Sequence, residues 1–104
     1  MYKGTTPTYI LTLPQDIDLD DAAEVVVTFS DYHYQRILEK SGADLTIEDN
    51  TISVFLSQEE TLRFPEGTVR IQVNWTYNSG GQMLRACSEI ATIHAQKNLK
   101  NEVI

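Results

Sequence analysis

The sequence predicts an all-β fold, a two-sheet antiparallel sandwich of about seven strands with one short helical turn. Three observations point to it. Apolar residues recur with period two along most of the chain. Turn signals interrupt that pattern every 8–15 residues. The only helix-start signal is too short to build more than one turn.

The clearest strand is Gly67 to Tyr77. There Val69, Ile71, Val73, Trp75 and Tyr77 alternate with Arg70, Gln72, Asn74 and Thr76 and form one apolar row. Asn78-Ser79-Gly80-Gly81 follows, and its two glycines accept the positive φ angles of a tight hairpin turn, so a partner strand is expected over about Gln82–Ala95. Upstream, Ala23 to Ser30 is dense in β-branched residues, which suit a pleated surface better than a helix. Thr8 to Leu13 alternates and stops at Pro14, which removes a ladder donor. Ile52, Val54 and Leu56 form another apolar row after the turn residues Asp49-Asn50. Gln35–Lys40 and Ala43–Glu48 read as two weaker strands divided by Ser41-Gly42, although local propensity also allows a helical turn over Tyr34–Glu39. In Ser57-Gln58-Glu59-Glu60-Thr61 the Ser57 hydroxyl is placed to cap the Glu60 amide while Glu60 reaches back, and Pro65-Glu66-Gly67 ends the turn.

With 104 residues and no internal repeat or linker, the chain is expected to be one domain with one two-layer core, too small for a deep interlobe cleft. Fifteen acidic residues against eight basic ones give a charge of −7. That balance disfavours nucleic acid, whose binding relies on Lys and Arg replacing counterions. The cations Lys3, Arg36, Lys40, Arg63, Arg70, Arg85, Lys97 and Lys100 are scattered, so no basic run favours a membrane surface. No apolar stretch has the length of a membrane span, and the first residues carry no signal core, so a cytosolic product is expected. The single Cys87 forms no internal disulfide.

No catalytic residue, cofactor or metal is expected. Asp16-Ile17-Asp18-Leu19-Asp20-Asp21 offers oxygens like the start of a calcium loop, but Asp21 stands where glycine is needed and Val27 where the bidentate Glu belongs, so a solvated loop is the better reading. His33, His94 and Cys87 are the only imidazoles and thiol, and nothing in the sequence positions them; Cys87 reads as a small buried thiol. Neither a nucleophile elbow nor a phosphate-cradling glycine loop is present. The glycosylation pattern Asn74-Trp75-Thr76 falls mid-strand and reads as coincidence.

Function is therefore expected at surfaces. Trp75 and Tyr77 share the core parity of their strand, which leaves Tyr32 and Tyr34, at the turn after the second strand, as the surface aromatics. Leu99, Val103 and Ile104 keep the carboxyl end apolar, so this segment docks either on its own domain or on a partner.

Gly4-Thr5-Thr6-Pro7-Thr8 leading into Leu11-Thr12-Leu13, Val25-Val26-Val27-Thr28-Phe29, Ile52-Ser53-Val54, Leu56 through Leu62, and Val69-Arg70-Ile71-Gln72-Val73 carry a resemblance. They look like small prophage-encoded structural proteins of Gram-positive bacteria. The layout is similar to the N-terminal immunoglobulin-like domain of phage baseplate upper proteins, in which an early Gly-x-Thr and a late turn before Phe-x-x-Gly bracket the strands. A baseplate upper protein continues into a long helical or receptor-binding region, whereas this sequence ends at Ile104, so the assembly role of that larger protein is not simply transferred. It implies an immunoglobulin-like sandwich and a tail or baseplate accessory module. Such a module would be made in the bacterial cytoplasm, then built into the virion, and would act on other phage tail or baseplate proteins or as a homo-oligomer. The alternative is a carbohydrate-binding module in which Tyr32, Tyr34 and Trp75 stack on bacterial cell-surface sugar.

Overall fold

The computed structural model covers residues 1–104. Its strands are β1 (Thr8–Thr12), β2 (Glu24–Ser30), β3 (Arg36–Ser41), β4 (Leu45–Glu48), β5 (Thr51–Phe55), β6 (Gly67–Ser79), β7 (Gln82–Cys87) and β8 (Ala91–Ala95). One helical turn, α1 (Gln58–Leu62), joins β5 to β6, and 3-10 turns occupy Leu19–Asp21 and Gly42–Asp44. No helix is long and apolar enough to cross a membrane.

All strand pairings are antiparallel and form two sheets. One has the order β1-β5-β4; the other has β3-β2-β6-β7, with β8 also paired to β6. The sandwich expected from the periodicity is thus present. An immunoglobulin constant domain groups its second strand with the first, fourth and fifth, whereas here β2 lies between β3 and β6, so the architecture is shared with a different strand grouping.

The alternating residues close on a common interior. Val25, Val27 and Phe29 of β2 and Val69, Ile71, Val73 and Trp75 of β6 pack with Ile52 and Val54 of β5 and with Leu45 of β4. Phe64, just after α1, sits against Phe29 with ring centroids 5.8 Å apart, and the buried Leu13 and Leu19 come from the β1–β2 connection. Gln35–Lys40 is extended, not helical, because pairing with β2 overrides its local propensity. The strand expected from Ala43 starts only at Leu45, since Gly42–Asp44 forms a 3-10 turn.

The strand expected over Gln82–Ala95 is broken. Between the pairs Asn74↔Cys87 and Ile71↔Ala91, residues 88–90 oppose only residues 72–73 of β6, so one extra residue is accommodated as a bulge. Ser88 makes this possible. Its amide donates to Val73 O (2.8 Å) and its hydroxyl accepts from Val73 N (3.0 Å), satisfying the β6 groups that the bulge would otherwise orphan.

The outer half of the β6–β7 hairpin is a ribbon that lengthens the molecule to 52 Å, against 26 and 20 Å across. Gly80 and Gly81 form its two-residue turn with φ of 60° and 82°, as the sequence indicates. Tyr77, expected in the core from its parity, lies on this ribbon and is exposed, because no element of the small sheet extends over it.

The amino-terminal strap joins both sheets. The Met1 amine donates to His94 O, and Lys3 N and Gln96 N exchange bonds with Gln96 O and Met1 O. The strap then crosses α1, where Gly4 N donates to Thr61 Oγ1 (2.9 Å) and the Thr61 hydroxyl donates to Thr5 O (2.8 Å). Thr61 is the one fully buried polar side chain. Gly4 has φ +83°, a backbone that favours glycine, and a Cβ there would press lightly on Leu62 Cδ2 at 3.3 Å. The capping box read from the sequence holds α1: Glu60 N donates to Ser57 Oγ, and Ser57 N donates to Glu60 Oε1.

Candidate functional site

The best-defined surface site is the loop between β2 and β3. Asp31 N donates to Gln35 O, which leaves Tyr32-His33-Tyr34 as a three-residue tip. Asp31 Oδ1 accepts from His33 N (2.8 Å) and Gln35 N (2.9 Å), and Tyr34 N donates to Asp31 O. This is a turn followed by a left-handed residue, a position that usually holds glycine. Here it holds Tyr34, at φ +64°. For a non-glycine residue that conformation costs about 1–2 kcal/mol, so the Tyr34 side chain is retained against a local backbone penalty.

Strand register brings the partner of that ring. Ser30 pairs with Arg70 of β6, on the outward face of the larger sheet. The Arg70 guanidinium carbon lies 4.2 Å from the Tyr34 ring centroid and 5.1 Å from that of Tyr32, and Nη1 donates to Tyr32 O (3.1 Å). Tyr32 also meets His33 edge to face at 5.4 Å. Both tyrosines are exposed, at 62% and 66%. Cation–π contacts at such exposure are worth about 0.5–1 kcal/mol each, enough to orient the rings but not to explain a strained tyrosine where glycine would serve. Arg70 carries no carboxylate partner; the ion pairs are Arg36–Glu39, Lys40–Glu60 and Lys100–Glu102. In the sequence Arg70 is one scattered cation, and only the sheet register places it under Tyr32 and Tyr34.

A second feature is an open groove of about 670 Å³ between β1 and the bulged β7–β8 edge. Leu11, Leu13, Ile17, Ile71, Val73 and Ile90 are among its lining residues, which are mostly apolar. It stays open because β1 is the edge of the small sheet, paired only with β5, while the bulge turns Ile90 out of the opposing edge. Ile10 on β1 is 67% exposed. Cys87, expected to be buried, is exposed and lines the same groove, because β7 is an edge strand with no small-sheet strand over it.

Leu99, Val103 and Ile104 are all exposed, and Ile104 lies beside α1. The Gln58 amide grips the backbone of Ile104, with Nε2 donating to Ile104 O (3.0 Å) and Oε1 accepting from Ile104 N (2.9 Å). The tail is therefore tied to its own domain by its backbone, while the Leu99 and Ile104 side chains are 98% and 87% exposed. Of the five surface residues singled out in the sequence, Tyr32 and Tyr34 meet at Arg70 and Ile104 is tied to Gln58, while Leu99 and Val103 stand exposed. Trp75, the third candidate for sugar stacking, is buried in the core.

Among ionisable groups, Asp18, Asp20 and Asp49 bring carboxylate oxygens within 4.8 Å of one another, all exposed. Asp49 joins the cluster from the β4–β5 turn, which the linear sequence does not connect to Asp18. Lys40 on β3 meets Glu60 on α1 at 2.6 Å, with both side chains mostly buried. Burial pushes the Glu60 carboxyl up, but the bond from Lys40, the Ser57 amide, the Lys40 charge and the Ser57 hydroxyl outweigh it, so the group is held below its ordinary value. This pair fastens α1 to the larger sheet. Comparison with protein-family models, curated proteins and solved structures finds no match to this chain.

Proposed function

We propose that this protein is a non-enzymatic structural module of a phage or prophage tail or baseplate that works by protein–protein assembly. The lineage part of that reading rests on the sequence resemblance described above. Its physical support is the apolar groove bounded by the free edge of β1 and the bulged β7–β8 edge. Unpaired edge strands are places where another chain adds a strand, with main-chain bonds supplying affinity and apolar pockets supplying selectivity. The occupant we assign is an extended, apolar segment of a neighbouring tail protein that pairs with β1 and sets alternate side chains between the sheets. Pro7 and Pro14 flank β1 and confine such pairing to its middle.

Light scattering after size-exclusion chromatography, alone and with the products of flanking tail genes, tests this. A stable complex is expected, and Thr12→Pro on β1 should weaken it at least about tenfold while the isolated domain still unfolds cooperatively. A chain that stays monomeric and binds none of these proteins removes the reading, as does equal loss of folding and binding in Thr12→Pro.

A further inference from the structure

We propose that the Tyr32–Tyr34–Arg70 cluster is the head of a neutral oligosaccharide site on the outer face of the larger sheet. This site opens on the outer sheet face and shares only Ile90 with the lining of the groove assigned to protein assembly, and it does not depend on that assignment. Beside Tyr34 is a depression of about 140 Å³ lined by Thr28, Ser30, Tyr34, Arg70, Gln72 and Ile90. That is well below the ~300–1,000 Å³ of drug-sized pockets, and it suits one ring lying flat against an aromatic face.

The hydrogen-bonding capacity of the lining selects the kind of ring. Arg70 spends one of its five N–H donors on Tyr32 O and has no carboxylate partner, so donors remain. Gln72 uses its amide nitrogen on Ser88 O, leaving its carbonyl oxygen as an acceptor. Ser30 and Thr28 donate their hydroxyl protons to Asp31 O and Glu39 Oε2, so each keeps acceptor capacity. Donors and acceptors therefore stand side by side. A carboxylate or phosphate only accepts and would leave the Gln72, Ser30 and Thr28 oxygens facing it unpaired, at a desolvation cost. A sugar hydroxyl both donates and accepts and can satisfy all four residues. The chain charge of −7 also opposes a polyanion.

Thr28 is shared with a second depression of about 280 Å³ along the same face, lined in part by Glu24, Glu39, Asn74, Thr76 and Arg85. Its polar groups are one planar amide, a guanidinium, two carboxylates and two hydroxyls, the same mixed donor and acceptor character, with Val26 and Trp75 completing the lining. A chain of sugar units can continue from the ring on Tyr34 across Thr28 into it. The left-handed backbone at Tyr34 acquires a purpose in this arrangement, since it holds the ring beside the first depression before any ligand arrives.

The test is a heteronuclear NMR titration of the intact chain with neutral gluco-, galacto- and N-acetylhexosamine oligosaccharides, with a hexuronate oligomer as the charged counterpart. At least one neutral series should give saturable shifts at the Gln72 side-chain amide and the Arg70 Nε–H. Affinity should rise from monosaccharide to trisaccharide and stay nearly constant with added salt. Tyr34→Gly, which the backbone accepts, and Arg70→Met should each weaken binding about tenfold or more, with the remaining amide spectrum unchanged. The proposal is overturned if no series gives saturable shifts, if the shifts fall elsewhere, or if both variants bind as the parent does. Preference for the hexuronate with steep salt dependence overturns the neutral-sugar assignment.

Discussion

Replacing Thr61 by Val tests how the amino-terminal strap is held. Valine nearly matches threonine in shape and removes only the hydroxyl. In the parent that hydroxyl accepts from Gly4 N at 2.9 Å and donates to Thr5 O at 2.8 Å, with a weaker contact to Gln58 O at 3.2 Å, and the side chain is fully buried. The variant leaves one backbone donor and one acceptor unpaired against a methyl group. Each orphaned buried group costs about 1–3 kcal/mol, and water at the partly exposed strap relieves some of it, so a net loss of about 2–4 kcal/mol is expected. With a urea slope near the low end of ~1–3 kcal/mol/M for a chain this small, the midpoint should fall by roughly 2 M. Thr61→Ser keeps the hydroxyl and gives up one methyl group, about 1 kcal/mol, so it should lie clearly between the two. Hydrogen exchange at the Gly4 amide should lose protection in Val and retain it in Ser. Urea curves in which Val matches the parent, or in which Ser is the more damaging change, would refute the assignment of Thr61 as the tie between strap and helix.

Two further outcomes follow from the same kind of accounting. Tyr34→Gly regains about 1–2 kcal/mol of backbone strain and gives up about 0.5–1 kcal/mol of contact with Arg70, so thermal unfolding should show stability unchanged or raised by up to about 1 kcal/mol; a loss above about 2 kcal/mol would mean the ring is structural. Lys40→Met should cost about 1–3 kcal/mol at neutral pH, more than an exposed pair, since the two side chains are only 12% and 23% exposed. Because the folded state holds the Glu60 pKa below its ordinary 4.5, that stabilisation is complete above the unfolded value and is lost as pH falls through the folded one. The difference between Lys40→Met and the parent in acid titration of stability should therefore shrink below about pH 4.5, and a constant offset down to acid unfolding would show that the pair does not act through Glu60 ionisation.

Much of the fold was legible because it depends on local rules. The alternation in β6, the Gly80-Gly81 turn and the Ser57 to Glu60 capping box are each written within a dozen residues, and each forms as those rules require. The departures arise where one strand answers to another. Residues 82–95 alternate poorly because Ser88 sits opposite Val73 and opens a bulge, information held by β6 as much as by the strand itself. Parity placed Tyr77 in the core, yet a row of alternating side chains is buried only as far as the opposing sheet extends, and that sheet ends before Tyr77.

The surface sites follow the same division. Tyr32 and Tyr34 were accessible to sequence reasoning because a turn exposes what it carries, and the structure holds both rings outward. Arg70 was not, because its role comes from the pairing Ser30↔Arg70, which joins residues forty positions apart in sequence. Seen with Arg70, the two tyrosines change character. Two exposed rings alone suggest any stacking partner, but a guanidinium fixed beneath them by Tyr32 O, next to acceptors on Gln72, Ser30 and Thr28, restricts the partner to one that can donate and accept together. The sandwich leaves its other opening, between β1 and β7–β8, apolar and bounded by strand edges. The groove is mostly apolar and the depressions on the sheet face are mostly polar, yet Ile90 lines both the groove and the depression beside Tyr34. Under the two proposals a strand seated in the first would therefore meet the rim of the second, and occupancy of one should be felt at the other.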